Sequence, residues 1–156
     1  MRLIYVRHGH PNYEKDCLTP LGHQHAAAAA QRLKDEGIQK IFSSSCGRAY
    51  ETAGYTAREL GLSVEAFDFM REIGWGTLEG DMLYHDGHPW DNADKMVLEN
   101  MPLCDPDLLK KEPFCRNDVT NYVARMAQEA DQWLLSLGYQ REGHYYRCLS
   151  QPFHTV

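Results

Sequence analysis

The first half of the chain alternates between short apolar runs and longer stretches with helical periodicity. Residues 3–6 form an apolar run, Leu-Ile-Tyr-Val, which is followed by charged groups and is typical of a buried strand. Residues 38–43 and 63–67 predict two further short strands, each preceded by a helical stretch. Strands that alternate with helices in this way favour a parallel sheet with right-handed crossovers. The pattern therefore predicts an α/β fold whose first two strands direct their loops to the same edge of the sheet.

Both predicted helices carry recognisable start signals. Thr19 is suited to cap the first helix, Pro20 suits its first position, and Gly37 is suited to end it. Residues 26–30 within it are all alanine, which predicts a narrow face that packs closely on the sheet. The second helix follows a run of serines and carries Arg48 in its first turn. Residues 10–18, before the first helix, are expected to form a polar loop.

The second half of the chain predicts loops first and then one long helix. Residues 71–92 are rich in Gly and Trp and predict a long functional loop, and residues 102–117 have the proline and charge content of a surface insertion. We expect residues 73–117 as a whole to be a substrate-specificity insertion. An apolar stripe at helical spacing then predicts a core-facing helix that ends at Gly138, with a turn at residues 142–144. The stripe comprises Val119, Tyr122, Val123, Met126, Ala130, Trp133, Leu134 and Leu137.

Composition narrows the classes of protein that this chain can represent. Its 156 residues suffice for one domain, and its formal net charge of −6 argues against nucleic acid or an anionic membrane as a partner. The five cysteines are odd in number and lack a CxxC pair, which indicates reduced thiols. No apolar run reaches membrane-spanning length, and the first strand begins too close to Met1 for a signal peptide. We therefore expect a cytoplasmic protein with a single domain over residues 1–156.

The strongest candidate for chemistry is Arg7-His8-Gly9, at the carboxyl end of the first predicted strand. Ligands of α/β proteins bind at that end of the strands. Imidazole titrates near neutral pH, so a histidine held by its neighbours can attack phosphorus. The planar fork of an arginine matches phosphate oxygens, and a glycine lets the backbone come close to a bound group. The tripeptide therefore predicts a site for a phosphate ester.

Three further segments follow this one in order and at compatible spacing. The matching positions are Arg7-His8-Gly9; Leu18-Thr19 and Gly22; Phe42-Ser43-Ser44, Arg48-Ala49 and Glu51-Thr52-Ala53; and Arg71-Glu72-Ile73, Gly76 and Glu79-Gly80. Together they resemble the signatures of the histidine phosphatase superfamily, also called phosphoglycerate mutase-like, over nearly the whole chain. The resemblance implies a three-layer α/β/α fold with a mostly parallel sheet and helices on both faces.

The resemblance also implies a role for each site residue. His8 attacks phosphorus and becomes a phosphohistidine, while Glu72 protonates the leaving alkoxide and then takes a proton from the attacking water. Arg7 and Arg48 bind the phosphoryl oxygens, with Gly9 beside them in the substrate site. The implied reaction is hydrolysis of a phosphate monoester of a small metabolite, without a metal or an organic cofactor.

One part of the family pattern is missing from the sequence. A second catalytic histidine, in a late His-Gly or His-Phe-Gly motif, is expected after residues 145–147, and no such motif follows them. His154 is too early and has no glycine after it. We therefore expect the chain to be a fragment that lacks the C-terminal strand and helix of the domain, with weak or no phosphatase activity. His10 stands where a carboxylate is common, which favours a phosphatase-type member over a mutase proper.

The residues exclude some alternative functions and leave others open. No arginine lies six positions after any cysteine, which excludes a cysteine-based phosphatase, and there is no GxxxxGK[ST] loop for a nucleoside triphosphate. Mutase-type phosphoryl transfer and a non-catalytic module that binds phosphoesters remain, and the oligomeric state stays open, with a homodimer as one alternative. Closely spaced histidines leave a metal site as a further alternative. They are His8 with His10, His23 with His25, and His85 and His88 with Asp86.

Overall fold

The computed structural model describes residues 2–72, 107, 110 and 119–149. The chain divides into two compact units, residues 1–71 with 130–156 and residues 72–129. The elements in chain order are β1 (Pro11–Asn12), β2 (Cys17–Leu18), α1 (Pro20–Leu33), β3 (Ile41–Ser44), α2 (Gly47–Leu60), β4 (Val64–Phe67), a 3-10 turn (Asp68–Met70), α3 (Val119–Ser136), β5 (Tyr139–Glu142) and β6 (Tyr145–Cys148). None of the described helices is both long and apolar enough to cross a membrane.

Helix α1 begins as the sequence predicts. The Thr19 hydroxyl accepts a hydrogen bond from the Gly22 amide, and Pro20 occupies the first turn, where no amide hydrogen is needed. Its buried positions are Gly22, Ala26 and Ala30, which recur every four residues and so share one face. This small-residue face packs mainly against α2, and the prediction that it packs on the sheet is therefore wrong in its partner.

A parallel strand-helix-strand unit forms the centre of the first compact unit. β3 and β4 pair in parallel, with Ile41 opposite Val64 and Ser44 opposite Phe67, and α2 connects them and contacts both. This confirms the two predicted strands, although the first begins at residue 41 rather than 38. Parallel strands need a long crossover connection between them, and α2 provides it.

The prediction that residues 3–6 form a buried strand is wrong. Residues 3–6 belong to no ladder; next to them Arg2 makes only an isolated bridge. Tyr5 is 86% exposed and Val6 49% exposed, while Leu3 and Ile4 are half-buried. An apolar run favours an extended backbone, but burial needs neighbouring strands, and no described strand pairs along this segment. Since only one of the three described ladders is parallel, the mostly parallel sheet with helices on both faces stays a prediction.

Residues 10–18 were expected to form a loop, and within them two short strands pair with each other. Pro11 lies opposite Leu18 and Asn12 opposite Cys17 in an antiparallel pair. The Lys15 amide donates to the Asn12 side chain inside the turn. This arrangement is called the hairpin loop below, and it leads directly from the predicted nucleophile to α1.

The end of α3 and the final hairpin complete the first unit. Leu137, just after α3, is 3% exposed, and Trp133 stands edge-on to Phe42 with ring centroids 5.2 Å apart. The predicted stripe is therefore confirmed as core at these two positions. β5 and β6 form an antiparallel hairpin around the predicted turn, and Arg141 on β5 pairs with Asp131 on α3 at 3.1 Å.

Two predicted segments fall mainly outside the described residues. Of residues 71–92, the structure describes only Arg71 and Glu72. Of the predicted insertion, residues 73–117, it describes only Asp107 and Lys110, which form an ion pair of 2.7 Å. The insertion and its role in specificity therefore stay predictions.

Candidate functional site

The turn that carries His8 is joined to the start of α2 by a buried threonine. Thr52 is 6% exposed, and its hydroxyl oxygen accepts a hydrogen bond of 3.0 Å from the Gly9 amide. The same hydroxyl donates to the Arg48 carbonyl oxygen, one turn earlier in α2, at 2.8 Å. Thr52 thus links the backbone next to the predicted nucleophile with the backbone of a predicted phosphate ligand. The sequence matched Thr52 to a family motif but assigned it no role.

Gly9 is required here by packing against α1. A Cβ atom at this position would lie 2.5 Å from the Gly22 carbonyl oxygen, which is too close for any side chain. From the sequence, this glycine was expected to allow a close approach to a bound group. In the structure the close approach is between two backbone segments, at Gly9 and Gly22, and it sets the distance between the segment that carries His8 and α1.

His8 is half-buried, and its ring is held in one tautomer. Nδ1 lies 2.8 Å from the Gly9 carbonyl oxygen. Because a carbonyl can only accept, Nδ1 carries the hydrogen, and in the neutral ring Nε2 keeps its lone pair. The Tyr13 ring meets the imidazole edge-on, with centroids 6.4 Å apart. The arrangement leaves Nε2 as the nucleophilic nitrogen of the neutral ring.

Arg48 is anchored in the first turn of α2 by two residues of the hairpin loop. Its side chain is 13% exposed, and Nη1 lies 2.5 Å from Oδ1 of Asp16. The guanidinium carbon is 5.2 Å from the centroid of the Tyr13 ring, a distance typical of a cation-π contact. Tyr13 therefore contacts both His8 and Arg48. From the sequence, Tyr13 and Asp16 were expected only as part of the polar loop over residues 10–18, with no role in the site.

The Asp16 carboxylate also satisfies the start of α2. Oδ2 accepts a hydrogen bond of 2.7 Å from the Gly47 amide, one of the amides that a helix leaves without an internal partner. The residue before it, Cys46, makes no side-chain cap. The Gly47 amide lowers the pKa of Asp16, partial burial opposes this, and the Arg48 guanidinium lowers it further. Asp16 is therefore an anion at neutral pH, fixed between the helix start and the guanidinium.

Arg7 is not held by the contacts described above, and Glu72 belongs to the second compact unit. Arg7 is exposed beside a groove of about 520 Å³ that it shares with Arg2 and with the C-terminal half of α1, and it makes no hydrogen bond or ion pair to a residue that the structure describes. Glu72 is exposed and begins the second compact unit. Of the five predicted site residues, the structure brings together His8, Gly9 and Arg48, and the roles of Arg7 and Glu72 stay predictions.

His8, His10 and His23, three of the histidines considered as metal ligands, have other partners. His10 Nδ1 lies 3.0 Å from the Thr19 hydroxyl, and His23 Nδ1 lies 3.1 Å from the Tyr55 hydroxyl. Within residues 2–72, 107, 110 and 119–149, no group of three or more His, Cys, Asp or Glu side chains is arranged to hold a metal ion. The third candidate group, at residues 85–88, lies outside the described residues.

Comparison with known proteins gives the same family as the motifs. A family model described as the histidine phosphatase superfamily, branch 1, matches residues 3–98. Fructose-2,6-bisphosphatase TIGAR B of Danio rerio is 37% identical over 92 residues, which cover 50% of this chain and 36% of that protein. Probable phosphoglycerate mutase GpmB of Yersinia pestis is 36% identical over 76 residues, which cover 47% of this chain and 35% of that protein. The match thus spans about a third of the length of these curated relatives.

Two solved structures with a similar fold are phosphatases by name. A mycobacterial glucosyl-3-phosphoglycerate phosphatase with inorganic phosphate matches with a TM-score of 0.54 and 25% identity over 83% of this chain and 60% of its own. A phosphoserine phosphatase of Entamoeba histolytica, in complex with 3-phosphoglyceric acid, matches with a TM-score of 0.52 and 28% identity over 86% of this chain and 66% of its own. The α/β fold of this family is therefore shared over most of the chain.

Proposed function

The chain belongs to the histidine phosphatase superfamily, and on that premise we propose that it acts on phosphate monoesters through a phosphohistidine at His8. The observation that carries the proposal is the joining of His8 and Arg48 through Thr52 and Tyr13. A nucleophilic nitrogen and a fixed guanidinium are the two groups that phosphoryl transfer needs first, one to attack and one to bind the charged oxygens.

In the proposed first step, the lone pair of His8 Nε2 attacks phosphorus and the bond between phosphorus and the ester oxygen breaks. Positive charge develops on the ring as the N–P bond forms, and the Gly9 carbonyl oxygen, 2.8 Å from Nδ1, stabilises it. Arg48 and Arg7 bind the phosphoryl oxygens, and Glu72 gives its proton to the leaving alkoxide. In the second step Glu72 takes a proton from water, the water oxygen attacks phosphorus, and the N–P bond breaks to release inorganic phosphate.

The proposed substrates are small phosphorylated metabolites. The relatives and structural neighbours are named for esters of this kind, a fructose bisphosphate, a phosphoglycerate and a phosphoserine. We assign the choice among such substrates to residues 73–117. The proposal includes a three-layer α/β/α domain with a mostly parallel sheet, a cytoplasmic location and no metal, organic cofactor, nucleic acid or membrane partner.

The test is hydrolysis of a panel of phosphorylated sugars, glycerates and amino acids, measured as released phosphate with and without EDTA. We expect weak activity that survives EDTA and is lost in His8→Gln, which keeps a polar side chain of similar size. His144→Gln, in the turn between β5 and β6, is the matched control and retains activity. Loss of activity with EDTA, or activity in His8→Gln, contradicts the proposal.

A second candidate function is phosphoryl transfer of the mutase type, favoured by the relative named phosphoglycerate mutase. It shares the phosphohistidine and differs in the acceptor, which is a sugar or glycerate hydroxyl instead of water. Incubation with 3-phosphoglycerate separates the two: appearance of the 2-phospho isomer identifies a mutase, and release of inorganic phosphate identifies a phosphatase. Binding of the ester without either product identifies the non-catalytic module.

A further inference from the structure

The hairpin loop rests directly on the first residue of α2. A Cβ atom at Gly47 would lie 2.1 Å from the Asp16 carbonyl oxygen, so the loop backbone reaches its place only because residue 47 is glycine. Asp16 itself has a φ of +46°, in the left-handed region that few residues other than glycine adopt. Aspartate and asparagine tolerate this region better than most residues do. The loop is thus built to bring the Asp16 side chain to the start of α2.

The Asp16 carboxylate uses its two oxygens for two different contacts. One accepts from Arg48 Nη1 at 2.5 Å and the other from the Gly47 amide at 2.7 Å. The side chain is 42% exposed, whereas that of Arg48 is 13% exposed. A carboxylate anchored on the helix backbone restricts the guanidinium that it pairs with, because the backbone amide does not rotate.

Tyr13 covers the same guanidinium from the same loop. Its ring centroid is 5.2 Å from the Arg48 guanidinium carbon and 6.4 Å from the His8 ring centroid. Glu51, in the first part of α2, accepts from the Leu18 amide at 2.7 Å and ties the far strand of the hairpin loop to the same helix. The loop is therefore fastened to α2 at Asp16 and at Leu18, and two of its side chains, Tyr13 and Asp16, contact Arg48.

We infer that Asp16 is a positioning residue, which holds the Arg48 guanidinium in a single orientation for a phosphoryl group. The inference rests on the proposed function for the ligand, but the restriction of Arg48 can be measured without any ligand. Arginine has five N–H donors in a rigid plane, so the contact with Asp16 fixes the plane of the guanidinium while it uses only part of its donor edge. A guanidinium already in place binds the transition state better than one that must first be ordered.

The first experiment observes the Arg48 side chain directly, by NMR of arginine guanidinium groups in the unliganded protein. We expect separate, slowly rotating Nη signals for Arg48 in the wild type and their averaging in Asp16→Asn, which keeps the backbone conformation but cannot accept at both atoms. Gly47→Ala displaces the loop without changing its charge and is expected to have the same effect. Asp131→Asn, the same substitution at the ion pair with Arg141, leaves the Arg48 signals unchanged. Unchanged Arg48 signals in Asp16→Asn overturn the inference.

The second experiment measures binding of inorganic phosphate and of orthovanadate, which mimics the transition state. We expect Asp16→Asn to weaken vanadate about tenfold and phosphate only about threefold, as loss of one charged hydrogen bond predicts. A general loss of folding cannot change that ratio. In an Arg48→Gln background, Asp16→Asn has no further effect if it acts through Arg48, and an equal effect in both backgrounds overturns the inference. If Arg48→Gln binds both anions as the wild type does, the proposed function fails while the NMR result still decides the role of Asp16.

Discussion

Replacement of Thr52 by valine tests the link between the His8 turn and α2. Valine keeps the shape and the branched Cβ of threonine but has no hydroxyl. In the folded protein the Gly9 amide, which now donates to Thr52 at 3.0 Å in a buried position, loses its acceptor. The Arg48 carbonyl loses less, because it remains at the position that accepts the regular helical hydrogen bond.

The size of the effect follows from the burial of these groups. An unsatisfied buried amide costs about 1–3 kcal/mol, and Thr52 is 6% exposed, so we expect a loss of about 2 kcal/mol in the free energy of unfolding. For a chain of this length that corresponds to a fall of roughly 4–8 °C in Tm. Thr52→Ser keeps the hydroxyl and removes one methyl group, so its loss is expected to be about 1 kcal/mol.

The assay is urea unfolding followed by circular dichroism, with thermal unfolding as a second measurement. The prediction requires that Thr52→Val be less stable than Thr52→Ser, because only the valine removes the acceptor. A valine variant as stable as the wild type, or one more stable than the serine variant, would show that this hydroxyl does not join the two segments.

Three further predictions concern the packing of the site and its charge. Gly9→Ala places a Cβ 2.5 Å from the Gly22 carbonyl oxygen and is expected to lower stability by about 1–3 kcal/mol in urea unfolding; a neutral effect would contradict the close packing. Because the pKa of Asp16 is lowered in the folded state, its stabilisation is present above the unfolded value of about 3.8 and is lost as pH falls through the folded value. Asp16→Asn should therefore lower the free energy of unfolding by about 0.5–1 kcal/mol at pH 7 and leave it unchanged at the acid end of a series of urea-unfolding measurements. A difference between variant and wild type that stays the same at every pH would contradict this dependence. Leu137→Ala, at 3% exposure, should cost about 2–5 kcal/mol by the same assay, and a loss below the lower limit would place Leu137 outside the core.

The helices could be predicted well because their end signals are local. Thr19 and Pro20 determine the start of α1 through a side-chain cap and a fixed φ, and neither depends on the rest of the fold. Gly61 ends α2 in the left-handed conformation that a glycine adopts without cost. The parallel pair β3 and β4 followed from the alternation of strand, helix and strand.

The first strand and the contacts of the site could not be predicted in the same way. Burial of residues 3–6 depends on strands that pair with them, and a four-residue pattern contains no information on whether those partners are present. In the sequence, Tyr13 and Asp16 lie in an ordinary polar loop. Their contact with Arg48 arises only when the hairpin loop folds onto α2. Asp16 offered one local sign, since aspartate is among the few residues that adopt a positive φ, but loops contain many such residues.

The role of His8 as phosphoryl acceptor is tested by locating the phosphoryl group on the chain. The protein is incubated with a labelled phosphate monoester, denatured in alkali to preserve an N–P bond, and analysed by peptide mapping and ³¹P NMR. Since Nδ1 donates to the Gly9 carbonyl oxygen, we expect label on His8 at Nε2. Label at Nδ1, on a serine of residues 43–45 or on Cys46, or the absence of label while substrate is consumed, would contradict it.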